Sequence, residues 1–158
     1  MSSIKTQGTH IYFVDASGSS PAVVKLACPT GVSGLGGAKD QIEDTCLDAT
    51  EDKTYVAGLG TPGQVSVPYN LDPSEASHQV LFDLKESGDK IDWMVCLSDG
   101  TAAPTLDSNG NLVAPASRTS IAFVAYVADA NLDLATNEIV RGTLTLQRSG
   151  PIDITWKS

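Results

Sequence analysis

Apolar and polar residues alternate with a period of two along several short stretches, the pattern of strands that bury one face and expose the other. In Gln64–Asn70, for example, Val65, Val67 and Tyr69 alternate with polar residues or proline. Residues 120–127 are apolar on both faces, which predicts a strand at the centre of the core. The predicted strands are His10–Asp15, Gln64–Asn70, and residues 22–28, 40–46, 91–97, 120–127, 139–148 and 152–156.

One segment has the period of a helix instead. Asp72, Pro73 and Glu75 form a capping box with proline at the first helical position. We therefore predict a helix with Asp72 as its N-cap and with Gly88 at its end. The apolar stripe of this helix, which would pack on the sheet, consists of Ala76, Val80, Leu81 and Leu84.

Residues 47–63 are rich in acidic residues and glycine, and they form a connection much longer than the roughly two to five residues of an ordinary hairpin loop. Loops of that length in compact domains are usually functional or disordered, so this segment is predicted to project as an arm. The elements together predict a mainly β fold: a β-sandwich or partly open barrel of about eight or nine strands, with one flanking α-helix and a long β-hairpin-type arm. The 158 residues fit a single domain, 1–158.

Two turn signals and one proline refine this picture. The chain is predicted to turn at residues 15–18 and again at Asn109-Gly110, a dipeptide typical of tight hairpins. Pro68 cannot donate a hydrogen bond to a neighbouring strand, so Gln64–Asn70 is predicted to lie at a sheet edge or to end near this residue. An unpaired edge is a surface through which subunits can join.

Composition narrows the range of functions. Ten basic against nineteen acidic residues give a net charge of −9. This argues against nucleic-acid binding, because such affinity comes from Lys and Arg that displace counterions. The longest apolar run, residues 121–128, is too short for a membrane-spanning helix, and the first residues lack an apolar signal core, so we expect a protein that is made and kept in a cytoplasm.

The cysteines indicate no redox or metal chemistry. Cys28, Cys46 and Cys96 are odd in number and include no Cys-x-x-Cys pair. Each falls in an apolar or strand-like run, so we expect buried free thiols.

No catalytic site, metal site or cofactor is predicted. Residues 31–39 resemble a phosphate-binding loop, but Asp40 stands where a hydroxyl residue would have to follow the lysine. Residues 107–118 begin like a calcium loop but have Leu112 at the glycine position and Arg118 at the glutamate position.

The remaining titratable residues do not converge either. The acidic residues between 40 and 52 are expected to form a solvated face rather than a cation site. His10 and His78 fit no metal-ligand or triad spacing, so structural or surface roles are expected for both.

The order of elements resembles that of the tail tube proteins of phages with long non-contractile tails: a strand, a long acidic arm, a second strand, and a helix that opens on Asp72-Pro73. The sequence Glu-Ile-Val-Arg-Gly-Thr-Leu-Thr-Leu-Gln-Arg-Ser-Gly, at residues 138–150, is similar to the closing strand of that family. The resemblance extends from Thr9 to Trp156. It implies a β-sandwich that forms hexameric rings, whose inner sheets merge into one barrel and whose stacking makes the hollow tube through which DNA leaves the virion.

The resemblance also implies the contacts of the protein. The arm would order against a neighbouring ring, and the residues expected to make this contact are Leu47, Asp48, Glu51, Asp52, Tyr55 and Leu59. The partners would be further copies of the chain, a tape measure protein, and tail tip or initiator and tail terminator proteins. Viral DNA would pass through the lumen without specific binding, and no membrane would be bound. The protein would reside in the virion tail after assembly in the host cytoplasm.

A candidate lumen face follows from strand alternation. In residues 139–148, Val140, Leu144 and Leu146 are expected to pack inward. The opposite face carries short neutral side chains and few charges, which a sliding polyanion tolerates. The candidate lumen residues are Gln64, Ser66, Arg141, Thr143, Thr145 and Gln147.

The sequence also allows alternative functions, some within the same architecture and some in a different class of protein. The tube subunit of a type VI secretion system or of a contractile tail would share this architecture. A β-sandwich decoration or carbohydrate-binding module would instead display an aromatic platform, but Trp93 and Trp156 fall in predicted strands, where core packing is expected. An enzyme is not predicted, because titratable groups do not converge.

Overall fold

The computed structural model describes residues 3–16 and 19–158, so the predicted turn at residues 15–18 lies partly outside the described residues. Within them the chain forms a mainly β fold with one helix, which confirms the predicted class. The elements are β1 (His10–Asp15), β2 (Ala22–Lys25), β3 (Lys39–Glu43), β4 (Tyr55–Gly60), β5 (Gln64–Asn70), α1 (Ala76–Ser87), β6 (Ile91–Cys96), β7 (Thr105–Leu106), β8 (Leu112–Val113), β9 (Ser120–Asp133), β10 (Arg141–Arg148) and β11 (Asp153–Thr155).

The main sheet is antiparallel, with the strand order β2, β1, β6, β9, β10, β5. Strand β9 is long enough to pair with β10 over its second half and with β11 near its start. Both partners lie on the side of β9 that faces away from β6, so β10 and β11 form one strand interrupted at residues 149–152. The short β7–β8 hairpin, which turns at the predicted Asn109-Gly110, covers part of the outer surface of the sheet.

The two ends of the main sheet are joined by one stretch of chain. After β2 the chain makes one further hydrogen bond to β1, from Leu26 N to Ile11 O at 2.8 Å, and then crosses to β5. There Asn70 N donates to Cys28 O at 3.1 Å, and Thr30 N donates to Pro68 O at 2.8 Å. The sheet is thereby closed into a barrel-like shell.

Strand β5 is the last strand of the main sheet, as the prediction of a sheet edge requires, but its outer side is not unpaired. Pro68 does direct its nitrogen, which has no hydrogen, away from β10, as an edge residue should. However, the carbonyl of Pro68 still accepts, and Ser66 exchanges two bonds with Ser33, at 2.9 and 3.0 Å. Residues 28–33 therefore occupy the edge that sequence pattern left open.

The core lies inside this shell, under α1. Trp93 is at its centre, with its ring centroid 4.9 Å from that of Phe13 and its Nε1 donating to Ala125 O at 3.3 Å. Leu144 and Leu146 are fully buried, as predicted. A second small cluster, built on Tyr12, Met94 and Cys96, lies on the opposite face of β1 and β6. Strand β6 is therefore buried on both faces.

Several predicted core residues lie at the surface instead. Val140 precedes β10 and is 36% exposed, and Trp156 follows β11 and is 71% exposed. Cys28 and Cys46 are also exposed, and only Cys96 is the predicted buried thiol. These residues lie next to strands rather than within them, and alternation therefore does not fix the direction of their side chains.

The helix ends where predicted but begins later. Gly88, at φ 68°, adopts the left-handed conformation of a C-cap. At the other end Asp72 does not cap the helix: its carboxylate accepts from Ser74 N at 3.0 Å and from Ser74 Oγ, so residues 72–75 form a separate turn. The N-cap is Glu75, whose side chain makes no capping bond. The competing local bond of Asp72 delays the helix by one turn.

Gly142 provides a stability test of the closed sheet. A Cβ at this position would lie 2.4 Å from Cζ of Tyr69, which is directly opposite on β5 and is itself buried. We expect Gly142→Ala to destabilise the protein by about 1–3 kcal/mol because the ring has no room to move. The measurement is thermal or chemical unfolding, with Gly60→Ala as the control, since nothing lies within 4 Å of that position. Equal stability of the two variants would contradict the packing described.

Candidate assembly surfaces

Strands β3 and β4 pair with each other and with no strand of the main sheet. They form a hairpin, which we call the arm hairpin (residues 39–60). Residues 47–63 are therefore not a single loop, because β4 lies within them. The predicted β-hairpin-type arm is confirmed, but the strand that pairs with β3 is β4 rather than β5. Sequence pattern missed β4 because Tyr55–Gly60 contains two glycines and no alternation of polar and apolar residues.

Hydrogen bonds close the arm hairpin just before its tip. Asp44 N donates to Thr54 O at 3.0 Å, and Thr54 N donates to Thr45 Oγ1 at 2.9 Å. The hydroxyl of Thr54 donates to the Asp44 carboxylate at 2.7 Å. Beyond this neck the chain turns through residues 46–53, which we call the tip. The tip is thus held on a paired stem.

The arm hairpin exposes apolar side chains that its own domain does not cover. Of the predicted stacking residues, Leu47, Asp48, Glu51 and Asp52 lie in the tip, whereas Tyr55 and Leu59 lie in β4, and all six are exposed. The exposed fractions of Leu47 and Leu59 are 107% and 85%. Ile42 and Val56 add further exposed apolar area. Apolar groups concentrated in this way mark an interaction surface.

Two other apolar surfaces lie outside the barrel. The connection between β9 and β10 exposes Leu134 and Ile139, next to Val140. The C-terminal segment exposes Trp156 and, in part, Ile154 on β11. The free side of β11 is an unpaired edge among the described residues.

The predicted lumen residues are brought together by the pairing of β5 with β10. Gln64 lies opposite Gln147, Ser66 opposite Thr145, and Asn70 opposite Arg141. Thr143 lies opposite Pro68 on the same face. The structure thus assembles one continuous polar face from the two strands, and the core side chains Leu144 and Leu146 lie on the other face.

A cavity of about 510 Å³ lies where the arm hairpin leaves the barrel. Its lining includes Lys39 and Arg148, glycines before β3, and apolar groups from the β10–β11 connection. Arg148 is 4% exposed and donates through Nη2 to the carbonyl of Gly36. Its Nε is buried without a hydrogen-bond partner. Sequence analysis placed Arg148 only at the end of a strand, because nothing in the sequence indicates that the chain before β3 packs on it.

Arg118 is fully buried. In the sequence it was notable only because it occupies the position where a calcium loop would need glutamate. Its guanidinium donates to backbone carbonyls of Gly8 at 3.1 Å, Leu97 at 2.6 Å and Ala102 at 3.0 Å. Burial, with the positive charges of Lys25 and Arg118, lowers the pKa of His10. Arg118 therefore fastens the N-terminal segment and the connection after β6 to one end of the barrel. No sequence signal distinguishes it from a surface arginine.

His78 is also buried and has a structural role. Predicted to lie off the apolar stripe, it is 1% exposed and bonds through Nε2 to Ala27 O at 2.6 Å. Its Nδ1 accepts from Asp72 N at 3.0 Å, and its ring lies 4.9 Å from that of Tyr69. Burial raises the pKa of Tyr69. His78 thus joins the helix to the crossing segment that closes the sheet.

In the described part of the chain, no helix is long and apolar enough to cross a membrane. The same residues contain no group of three or more His, Cys, Asp or Glu side chains placed to hold a metal ion.

The described residues thus form a closed β-shell with one helix, a projecting hairpin and exposed apolar surfaces. The chain matches the family model described as phage tail tube, lambda-like, over residues 2–158. It therefore belongs to the lambda-like phage tail tube family and is a structural component of the virion tail. A curated relative, Structural protein 3 of Pseudomonas phage PAJU2, is 40% identical over 151 residues, covering 93% of this chain and 90% of that protein.

Solved structures share the fold at low identity. The SPP1 tail tube has a TM-score of 0.68 at 13% identity, with 98% of this chain and 80% of that chain covered. The sheath/tube terminator of the extracellular contractile injection system PVC has a TM-score of 0.68 at 16% identity, with 98% of both chains covered. The tail of a gene transfer agent particle, determined with C6 symmetry, has a TM-score of 0.67 at 10% identity, covering 97% of this chain and 99% of that chain. Phage tail tubes and contractile injection systems thus share this fold.

Asp99 gives a pH-dependent test of the end of the barrel that Arg118 fastens. Its carboxylate accepts from Thr119 Oγ1 at 2.7 Å and from Thr119 N at 2.9 Å, and these bonds lower the pKa of Asp99. A lowered folded-state pKa means that the stability is present above the unfolded pKa and is lost as pH falls through the folded value. We expect wild type to be more stable than Asp99→Asn at pH 7, and the gap to narrow below about pH 4. Denaturant unfolding of both proteins from pH 7 to pH 2.5 measures this gap, and a constant gap would contradict the assignment.

Proposed function

We propose that this chain is the repeating subunit of a tail tube, in which hexameric rings stack to form the conduit for DNA ejection. The observation that carries the proposal is the concentration of exposed apolar side chains on the arm hairpin, the β9–β10 connection and the C-terminal segment. Each lies outside the closed core, so burial of these side chains needs other molecules. Membership of the tail tube family makes further copies of the chain the natural partner.

Sixfold rings are supported by shape and symmetry. A closed ring leaves no unsatisfied interface, and the fold is similar to that of the C6-symmetric gene transfer agent tail. Because residues 28–33 occupy the outer edge of β5, subunits of one ring would join through β11 rather than through β5, and the arm hairpin would contact the next ring. A tail tip or initiator, a terminator and a tape measure protein complete the proposed partners, with assembly in the host cytoplasm. Similarity to a sheath/tube terminator supports a terminator that docks in the manner of another ring.

The polar face of β5 and β10 is the proposed lumen surface. The chain has a net charge of −9, and this face carries Arg141 as its one cation among the six proposed residues. Neutral hydroxyl and amide groups do not hold phosphates as clusters of Lys and Arg do, so DNA would slide past them. DNA would thus pass through the tube without being bound as a ligand.

The first test of this function is assembly. We expect the purified protein to form rings or tubes in negative-stain images, and Leu47→Ser with Leu59→Ser to reduce tube formation at least about tenfold, because their apolar area would be buried between rings. The control is Val113→Ser, which removes an exposed apolar side chain from β8. Unchanged thermal unfolding would show that the fold survives. If wild type stays monomeric at all concentrations and with tail tip components present, the proposal fails.

The second test concerns the lumen. Thr143→Lys with Thr145→Lys would add two positive charges per subunit to the proposed inner face. We expect tubes to form but DNA ejection to slow and infectivity to fall, since phosphate binds clustered lysines. Thr101→Lys with Thr105→Lys, at exposed positions before and in β7 and outside the β5–β10 face, is the matched control for charge. Equal ejection rates of the two variants in a phage complementation assay would remove β10 from the lumen.

A further inference from the structure

The cavity at the base of the arm hairpin has the character of an anion site. Two cationic side chains, Lys39 and Arg148, line it, and its lining contains no carboxylate. The remaining walls come from glycines and from apolar groups such as Pro62, Pro151 and Ile152. A ligand that fits would combine a negative charge with an apolar group.

Arg148 gives an independent sign that an acceptor is missing. The side chain is 96% buried, yet its Nε has no hydrogen-bond partner among the described residues, and its guanidinium donates only through Nη2, to the carbonyl of Gly36. Buried donors in folded proteins are almost always satisfied, and a carboxylate satisfies a guanidinium best through paired bonds. Lys39 is exposed and makes no ion pair within the described residues. Among the described residues, no carboxylate therefore compensates the charge of the cavity.

The tip of the arm hairpin carries the complementary chemistry. Leu47 and Asp48 are adjacent and exposed, and they present an apolar side chain beside a carboxylate. The tip also has no cover from its own subunit. Because the tip is held by the Asp44–Thr54 neck, it can bind with little loss of chain entropy.

The tip cannot reach the cavity of its own subunit. Lys39, at the start of β3, and Leu47 are separated by eight residues of largely extended chain, which span roughly 25 Å. The cavity lies at the base of the same hairpin, and the paired stem keeps the two ends apart. Any occupant from this chain therefore belongs to a second copy.

We propose that the Leu47-Asp48 tip of one subunit docks into the Lys39–Arg148 cavity of another, with Asp48 accepting from the two cations and Leu47 packing on Pro62 and Ile152. The inference rests on the proposed tube function and names the receptor for the arm. Repetition of this contact from copy to copy is head-to-tail, so it propagates along the tube.

A charge exchange tests the pairing. Lys39→Glu and Asp48→Lys should each lower tube yield at least about tenfold, and the double variant should recover the yield in part, because one of the two ion pairs is re-formed in reverse while Arg148 keeps no anionic partner. Lys90→Glu, at an exposed position before β6, is the control: alone it should leave tubes intact, and with Asp48→Lys it should give no recovery. Normal tubes from Lys39→Glu, or failure of the reversed pair to recover, would overturn the inference.

A cross-link tests the geometry without relying on yield. Cys46 is exposed and precedes Leu47, and Thr61 is exposed beside the cavity. In a Cys28→Ser background, Thr61→Cys should form a disulfide between subunits with Cys46 in assembled tubes under mild oxidation. The bond should be lost with Cys46→Ser and absent when the new cysteine replaces Lys90.

The outcomes separate the two proposals. If wild type forms tubes but the cross-link does not form in them, the docking inference fails and the tube function stands. If wild type forms neither rings nor tubes, the tube function fails and the docking inference fails with it. Cross-linked dimers and a ladder of higher oligomers on non-reducing gels, as a head-to-tail contact requires, would support both.

Discussion

The crossing of residues 28–33 from β1 to β5 is the constraint on which the remaining architecture depends. It supplies hydrogen bonds to the outer side of β5, where Ser66 and Asn70 would otherwise hold unpaired N–H groups. A β-sheet edge left open in this way would offer an association site of low specificity. With this edge closed, the apolar inner face is sealed around Trp93, and association is left to the surfaces that project from the shell.

The same crossing segment fixes the position of the arm hairpin. The chain leaves β5 after Ser33, forms the hairpin, and returns to the start of β5 at Gln64. Thr61 N donates to Ala38 O at 2.9 Å, which pins the two ends of the hairpin together. The arm hairpin is thus attached to the barrel at its base, where the two ends of the hairpin meet. Its orientation follows from the barrel, and its tip remains free to meet another subunit.

Buried polar side chains stabilise the irregular parts of the shell. Arg118 donates to carbonyls of two segments outside the regular strands, the N-terminal segment and the connection after β6, and His78 joins α1 to the chain after β2 at Ala27. A buried polar group is stabilising only when its donors are hydrogen-bonded, and both Arg118 and His78 have hydrogen-bond partners. Among the described residues two buried side-chain groups lack a partner, Nε of Arg148 and the hydroxyl of Tyr69, and of these only Arg148 carries a charge. The uncompensated charge of Arg148 is the reason we propose the base of the arm hairpin as the docking site for a second copy.

Sequence alone determined the regular parts of this protein. Period-two alternation placed β5 correctly, apolar runs placed β1 and the start of β9, and Gly88 marked the helix end, because local side-chain direction and backbone freedom decide these features. The hairpin turn at Asn109-Gly110 was local in the same sense. The projecting arm could be predicted from its length and acidity, although β4 within it could not.

Only the tertiary structure decided which edges and side chains are covered. The pairing of β5 with residues 28–33 joins segments more than thirty residues apart in sequence, and no local pattern encodes it. Asp72 satisfies a turn rather than the helix, and Trp156 is exposed because the chain has passed the last strand. Arg118 and Arg148 look alike in sequence, yet one is saturated by carbonyls and the other lacks an acceptor for Nε. Burial and hydrogen-bond satisfaction depend on distant segments meeting, and those meetings are properties of the fold rather than of any stretch of sequence.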